Sequence, residues 1–375
     1  MTQSTLIKGM DLSTLPEVER CGGKFYDSGV QGDAVEILKS CGMNMVRLRL
    51  WNDPYSETGE PYGAGTNDLP TTAAMAKRLK KAGIDWLLDF HYSDFWADPG
   101  KQNIPKAWAG LTVDGLEQAV YEYTLRVLRT LEKKQVLPQM VAVGNELTNG
   151  LLWPYGKVPN FENITRFLNA GIRAVREAAP EAKIMIHLDN GGNNRLYRTW
   201  FDSFFAKGGM DFDYIGLSYY PFWHGTMEDL KNNLYDLAGR YGKELIIAEV
   251  STGFTMEDYA RYEKLEKENR KGMATKPELA QKVPYPMSPE GQSAFMLDLM
   301  NLLESVPGGK GVGFFYWEPA WIPVPGSQWA TEAALAYTGE KGPGGNEWAN
   351  QALFDYEGNA LPALKTIRDF GGTRK

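Results

Sequence analysis

Eight short runs of apolar, β-favouring residues recur along this chain, and longer stretches separate them. The runs are Leu6–Asp11, Asn44–Leu50, Asp85–Phe90, Met140–Glu146, Lys183–Leu188, Tyr214–Tyr219, Glu244–Val250 and Gly311–Trp317. Segments such as Leu245-Ile246-Ile247-Ala248 show no polar alternation. A strand covered on both faces needs that continuity, and parallel sheets are built from such strands. The intervening stretches Val113–Lys134, Phe161–Ala179 and Met227–Tyr241 place apolar residues at helical spacing. Glycine follows a helix-like stretch in Ser40-Cys41-Gly42, Ala82-Gly83 and Tyr241-Gly242. A left-handed residue commonly ends a helix at that place.

Strand and helix alternating eight times predict a parallel (β/α)₈ barrel joined by right-handed crossovers. A doubly wound open sheet would carry a glycine-rich phosphate turn after an early strand, and none is present. Residues 1–375 read as one catalytic barrel domain, with no linker-like shift in composition. The longest insertions, Ser251–Ser288 and Glu318–Ala360, follow the seventh and eighth runs. Both fall on the C-terminal face, where barrel enzymes build their sites.

Composition narrows the partner. A net charge of −7 disfavours nucleic acid and acidic polymers, because binding those takes a basic stripe. Eleven Trp and 19 Tyr supply flat rings with a polar edge, which suit sugars. No apolar run is long enough to cross a membrane. The stretch Met1–Leu6 lacks the charged and apolar regions of a signal peptide. Cys21 and Cys41 make neither a disulfide framework nor a metal cluster. Placing Cys21 above the barrel, and Cys41 at the lower end of a helix over Asp33–Cys41, predicts two free thiols.

The fourth and seventh runs end on Val143-Gly144-Asn145-Glu146 and Ile247-Ala248-Glu249-Val250. Two carboxyl groups across a cleft match what glycosidic hydrolysis needs. One is protonated to release the leaving oxygen, and the other is ionised to attack or to stabilise the anomeric carbon. Sequence alone does not fix their separation, which decides between retention and inversion. Arg47 and Arg49 share parity on the second strand, so both point into the barrel.

Longer motifs accompany this pair. They are Arg47-Leu48-Arg49-Leu50-Trp51-Asn52-Asp53-Pro54, Asp89-Phe90-His91-Tyr92-Ser93-Asp94-Phe95-Trp96, Gly144-Asn145-Glu146-Leu147-Thr148-Asn149-Gly150, Ser218-Tyr219-Tyr220-Pro221-Phe222-Trp223 and Phe315-Tyr316-Trp317-Glu318-Pro319-Ala320-Trp321. From about Gly9 to Leu364 the chain resembles glycoside hydrolase family 53, the arabinogalactan endo-β-1,4-galactanases, within the clan A retaining glycosidases. The resemblance implies Glu146 as acid/base and Glu249 as nucleophile. It also implies Asn145 at the 2-hydroxyl of the sugar, and Arg47 as the charge that depresses the Glu249 pKa. His91, Asp94, Trp96 and Arg49 join the substrate-binding candidates, as do Tyr219 or Tyr220, of which the residue before Pro221 is preferred. Trp317 is expected as the platform under the reacting sugar, with a cis peptide to Glu318, and Trp321 lies at an outer sugar site.

The implied reaction is endo-hydrolysis of β-1,4-galactan or type I arabinogalactan by retaining double displacement. The alternative keeps the mechanism on mannan, xylan or glucan. No cofactor or catalytic metal is expected. The structural calcium site of some bacterial members is disfavoured, because Thr255–Lys264 lacks alternating oxygen ligands. The mixed-charge run Glu263–Lys271 reads as a solvated helix face. A polymeric substrate implies action outside the cell, at its surface or in the periplasm.

Overall fold

A computed structural model describes residues 6–257, 276–341 and 344–371. Eight parallel strands close into a barrel: β1 (Ile7–Asp11), β2 (Met45–Leu50), β3 (Asp85–Phe90), β4 (Met140–Val143), β5 (Lys183–Leu188), β6 (Tyr214–Tyr219), β7 (Glu244–Val250) and β8 (Gly311–Tyr316). β1 pairs with both β2 and β8, which closes the ring. Each strand leads to an outer helix: α1 (Ala34–Ser40), α2 (Leu69–Ala82), α3 (Val113–Lys133), α4 (Phe161–Ala178), α5 (Asn194–Ala206), α6 (Met227–Tyr241), α7 (Pro289–Ser305) and α8 (Pro362–Asp369). The apolar runs and the strands coincide closely, except that β4 stops at Val143, before the Glu146 assigned to its end.

The barrel interior is layered. Leu87, Met140, Ala142, Met185, Tyr214, Ile246, Ala248, Val312 and Phe315 pack as one buried apolar cluster from the inner face. Gly9 makes room for it: a Cβ there would lie 2.3 Å from Phe315 Cδ1. One step further along the same parity, the residues turn polar. Asp89 follows Leu87, His187 follows Met185, Ser218 follows Gly216, and Arg47 and Arg49 follow Met45. Period-2 alternation thus sets an apolar floor beneath a polar ceiling at the C-terminal ends of the strands.

The helices are fixed at their ends by the residues their sequence supplies. The Thr112 side chain accepts from Gly115 N at the start of α3, and Thr226 with Asp229 forms a capping box on α6. Such caps contribute about 0.5–2 kcal/mol each. Gly83 and Gly242 end α2 and α6 at φ 68° and 67°, the left-handed region expected of them. The segment Glu263–Lys271, and most of the stretch weighed for calcium, lie outside the described residues.

Cys21 follows the short helix Leu15–Arg20 above β1, while Cys41 is buried at the end of α1, and both are free thiols. Thiol titration of the unfolded protein should therefore find two reactive groups, and the folded protein should react first at the more exposed Cys21. A mass two hydrogens light that reductant restores would refute the assignment.

Candidate active site

Two local irregularities bring the glutamates into the polar layer. After β4 the backbone turns through Gly144 at φ 90° and Glu146 at φ 47°. A side chain on Gly144 would meet Leu147 Cδ2 at 2.7 Å, so the turn needs glycine there. Glu146 itself holds a left-handed conformation that costs a non-glycine residue roughly 1–3 kcal/mol, strain of a kind that clusters at functional sites. The second irregularity is a bulge in β7. Leu217 pairs with Ile247, yet Ser218 pairs with Glu249, so Ala248 has no partner on β6. The register against β8 also shifts between Ile247 and Val250. Strict alternation would send Glu249 outward, since its neighbour Ala248 packs in the floor cluster. The bulge supplies the extra residue that lets both face inward.

Around Glu249 lies a buried ionic network. Arg47 donates from Nη1 to Asp11 Oδ2 at 2.7 Å. From Nη2 it donates to Asp89 Oδ2 at 2.6 Å, Asn145 Oδ1 at 2.8 Å and Glu249 Oε1 at 2.8 Å. The Tyr220 hydroxyl donates to Glu249 Oε2 at 2.8 Å. Arg49 holds Glu318 Oε1 at 2.5 Å. Asn145 Nδ2 donates to the Ala97 carbonyl at 2.8 Å. Glu146 Oε1 lies 2.6 Å from Ser218 Oγ, and that hydroxyl is 2.8 Å from His187 Nε2.

Two guanidinium groups face five buried carboxyl groups here, so charge balance favours protons on some of them. Burial raises Glu146 well above the ordinary carboxylate range, and the charges of Glu249, Asp189 and Asp98 add to the rise. Burial pushes Glu318 up to about 8 against the pull of Arg49. For Glu249 the expectation of a depressed pKa needs correction. Burial raises it, and Arg47 and the Tyr220 hydrogen bond oppose that rise without overcoming it. Arg47 and the Tyr220 hydroxyl both donate to Glu249 and favour its ionised form, whereas the neighbouring carboxylates favour the proton on Glu146.

The glutamates open onto a cleft of about 390 Å³ walled by Trp96, Trp223, Trp317, Trp321, Trp329 and Trp348. Trp317 touches Trp348 and Trp96, with ring centres 4.8 and 6.1 Å away. The Arg49 guanidinium sits 4.3 Å over the Trp96 ring.

Of the residues singled out from sequence, Arg47, Arg49, His91, Trp96, Asn145, Glu146, Tyr220, Glu249, Trp317 and Trp321 line this cleft. Three expectations need correction. Asp94 faces away and accepts from the backbone of Asp53 and Lys106, so it anchors a loop. The Tyr219 hydroxyl donates to the Gly225 carbonyl behind the strand, leaving Tyr220 as the tyrosine on Glu249. The Trp317–Glu318 peptide is not cis; the turn is made instead by Glu318 at φ 49°. His91 reaches the wall, but its Nδ1 accepts from Trp51 Nε1 and Ala97 N, and its Nε2 lies 3.1 Å from Asp89. The site also holds Asp89, His187, Asp189, Ser218 and Trp348, which were not among the expected residues. The parity of β3, β5 and β6 pointed to Asp89, His187 and Ser218, since each follows an inward floor residue.

The sequence matches the family model of Glycosyl hydrolase family 53 over residues 7–367. It is 38% identical to an endo-β-1,4-galactanase of Bacillus subtilis, over 96% of this chain and 85% of that one. Its structure is similar to the family 53 catalytic domain of Ignisphaera aggregans at TM-score 0.88 and 42% identity, covering 97% and 95% of the two chains. Fungal β-1,4-galactanases match at TM-score 0.77 and 31% identity, covering 97% and 99%.

Proposed function

The chain belongs to glycosyl hydrolase family 53, and from that premise we propose that it cleaves internal β-1,4-galactosidic bonds in galactan and type I arabinogalactan with retention at the anomeric carbon. The spacing of the two glutamates supports retention. Glu146 and Glu249 bring carboxyl oxygens within 4.8 Å of each other. That agrees with the separation of about 5–5.5 Å in retaining pairs, while inverting pairs need about 6.5–9.5 Å for a water.

In this reading ionised Glu249, oriented by Arg47 and Tyr220, attacks the anomeric carbon. Glu146 gives its proton to the leaving oxygen, and a covalent glycosyl-enzyme forms. Glu146 then takes a proton from water, whose oxygen displaces Glu249. Asn145 commits its oxygen to Arg47 and one N–H to Ala97, which leaves a second N–H for the 2-hydroxyl. That bond strengthens as oxocarbenium character grows. The tryptophan wall supplies stacking faces for successive sugars.

No metal or cofactor enters this scheme. Glu146, His187 and Glu249 converge as three ligand-type groups, but Asn145 and Ser218 already engage both His187 nitrogens. Among the described residues no helix is long and apolar enough to cross a membrane. A polymer of this size points to action outside the cell. Mannan, xylan and glucan are the less favoured substrates, since the named family 53 relatives are galactanases.

Incubation with β-1,4-galactan should release oligosaccharides of mixed length early in the reaction, with the β-anomer formed first. Mannan, xylan and β-glucan should stay intact. Release of galactose alone would overturn the endo reading, and an initial α-anomer would overturn retention.

The pH dependence follows from the two carboxyl groups. Activity needs Glu249 ionised and Glu146 protonated, so kcat/KM should trace a bell. Both groups are raised, so both limbs should lie above the ordinary glutamate value of about 4.3. The limbs belong to the pair as a unit. A single ionisation, or a bell centred below pH 4, would contradict this.

A further inference from the structure

The hydrogen atoms around Glu146 are constrained in a way that neither glutamate shows alone. Asn145 is pinned in one orientation: its oxygen faces the guanidinium of Arg47, which only donates, and its nitrogen faces the Ala97 carbonyl, which only accepts. His187 Nδ1 lies 3.0 Å from that same Asn145 oxygen, so Nδ1 must carry the hydrogen. His187 is wholly buried, and burial together with the charge of Arg47 pushes its pKa down to about 3. The ring is therefore neutral, and its Nε2 is an acceptor. The only hydroxyl facing Nε2 among the described residues is that of Ser218, at 2.8 Å. A serine has one hydrogen to give. Once it goes to His187, the Ser218 oxygen can only accept from Glu146, 2.6 Å away.

We infer that Asn145, His187 and Ser218 form a one-way hydrogen-bond chain that holds Glu146 in its protonated form. Every member is satisfied when Glu146 carries a proton. When Glu146 ionises, Ser218 must turn to donate to it, a bond that by itself favours the charged form, and the buried His187 Nε2 then confronts an oxygen with no hydrogen to share. Leaving a buried acceptor unpaired penalises the ionised state. Ser218 and His187 are positioning residues that act through Glu146. The other titratable groups around Glu146 include Glu249 from β7, Asp189 and Asp98 from the loops after β5 and β3, and the buried hydroxyls of Tyr197 and Tyr220, and the three carboxylates also favour its proton. Arg47 opposes them, but its bonds go to Asp11, Asp89, Asn145 and Glu249.

The inference rests on Glu146 being the acid of the reaction, but its readouts need no turnover, so it stands or falls apart from galactan cleavage. In the intact protein, nitrogen chemical shifts of His187 should report the Nδ1–H tautomer, neutral across the activity range. An Nε2–H tautomer or an imidazolium would overturn the chain. His187→Leu removes the acceptor and frees the Ser218 hydrogen for Glu146, while Asn145 keeps Arg47 as donor. The Glu146 pKa, followed by carboxyl-carbon NMR, should drop by about one to two units, the pKa equivalent of one buried unpaired group. Adding Ser218→Ala to that variant removes the donor and should return most of the drop. An unmoved Glu146 in His187→Leu, or equal shifts in the single and double variants, would leave His187 a packing residue.

Discussion

Glu249→Ala should remove galactan turnover by on the order of 10⁴-fold or more while the protein still folds, and azide should restore part of the rate on an activated aryl galactoside. The size follows from losing the nucleophile, since no other group can form the covalent intermediate. Glu249 is 6% exposed, and the truncation leaves a space at the end of the cleft that a small anion can enter. Azide in that space attacks from the face Glu249 occupied, so the product should be the α-galactosyl azide. Glu146→Ala makes the complementary case. With a good leaving group the glycosyl-enzyme still forms, and azide then opens it to the β-galactosyl azide. On galactan itself, whose leaving group needs a proton, Glu146→Gln should cost about 10²–10⁴-fold, the usual worth of general acid catalysis. Product anomers by NMR and turnover on galactan decide the matter. Near-normal turnover in Glu249→Gln, or the β-azide from Glu249→Ala, would show that the roles are wrong.

Arg47→Met should produce the largest loss of stability, about 3–5 kcal/mol by chemical denaturation near neutral pH, the usual consequence of stranding buried charges. Arg47 is buried with no exposed surface and binds Asp11, Asp89 and Glu249. Methionine fills much of the volume but removes the cation that three buried carboxyl groups share, leaving Asp11 with Arg49 at 3.5 Å and Asp89 with His91 at 3.1 Å. Arg47→Lys should fall between, because a single ammonium cannot reproduce the fork that reaches all three. The pH dependence gives a second reading of the same cause. In the native protein burial alone would raise Asp89, but Arg47 and His91 hold it below the usual range. Its stabilising contribution is therefore complete above the unfolded value of about 3.9 and is lost as pH falls through the folded one. In the variant the stranded carboxyl groups are raised instead, so its deficit is greatest at neutral pH and shrinks on acidification. Stability measured from pH 7 down to about 4 should show the two proteins converging. A gap that stays constant or widens would mean that packing, and not charge, is what Arg47 supplies.

Much of this site was legible in the chain because one strand's alternation is a local property. Arg47 and Arg49 share parity on one strand, and both enter the barrel. Tyr220, before Pro221, reaches Glu249 because the chain leaves β6 at that point and turns over the cleft. Asp94 and Tyr219 misled because a motif names residues together without saying which way each faces. Asp94 belongs to a loop that folds back on Asp53 and Lys106, and Tyr219 keeps the outward parity of its strand.

The sequence by itself determined the eightfold alternation, the closed parallel barrel, and the presence of a glutamate after β4 and another in β7. These follow from periodicity and from where apolar runs stop, which depend on near neighbours. Only the tertiary structure decided that Glu249 faces inward, since a bulge in β7 overrides the alternation that would turn it out. It alone decided the tryptophan wall, where Trp96 meets Trp317 and Trp317 meets Trp348 across the cleft. The proton count at Glu146 has the same origin. It depends on four side chains from three strand ends meeting within 3.0 Å, and closure of the barrel is what brings residues so distant in sequence together.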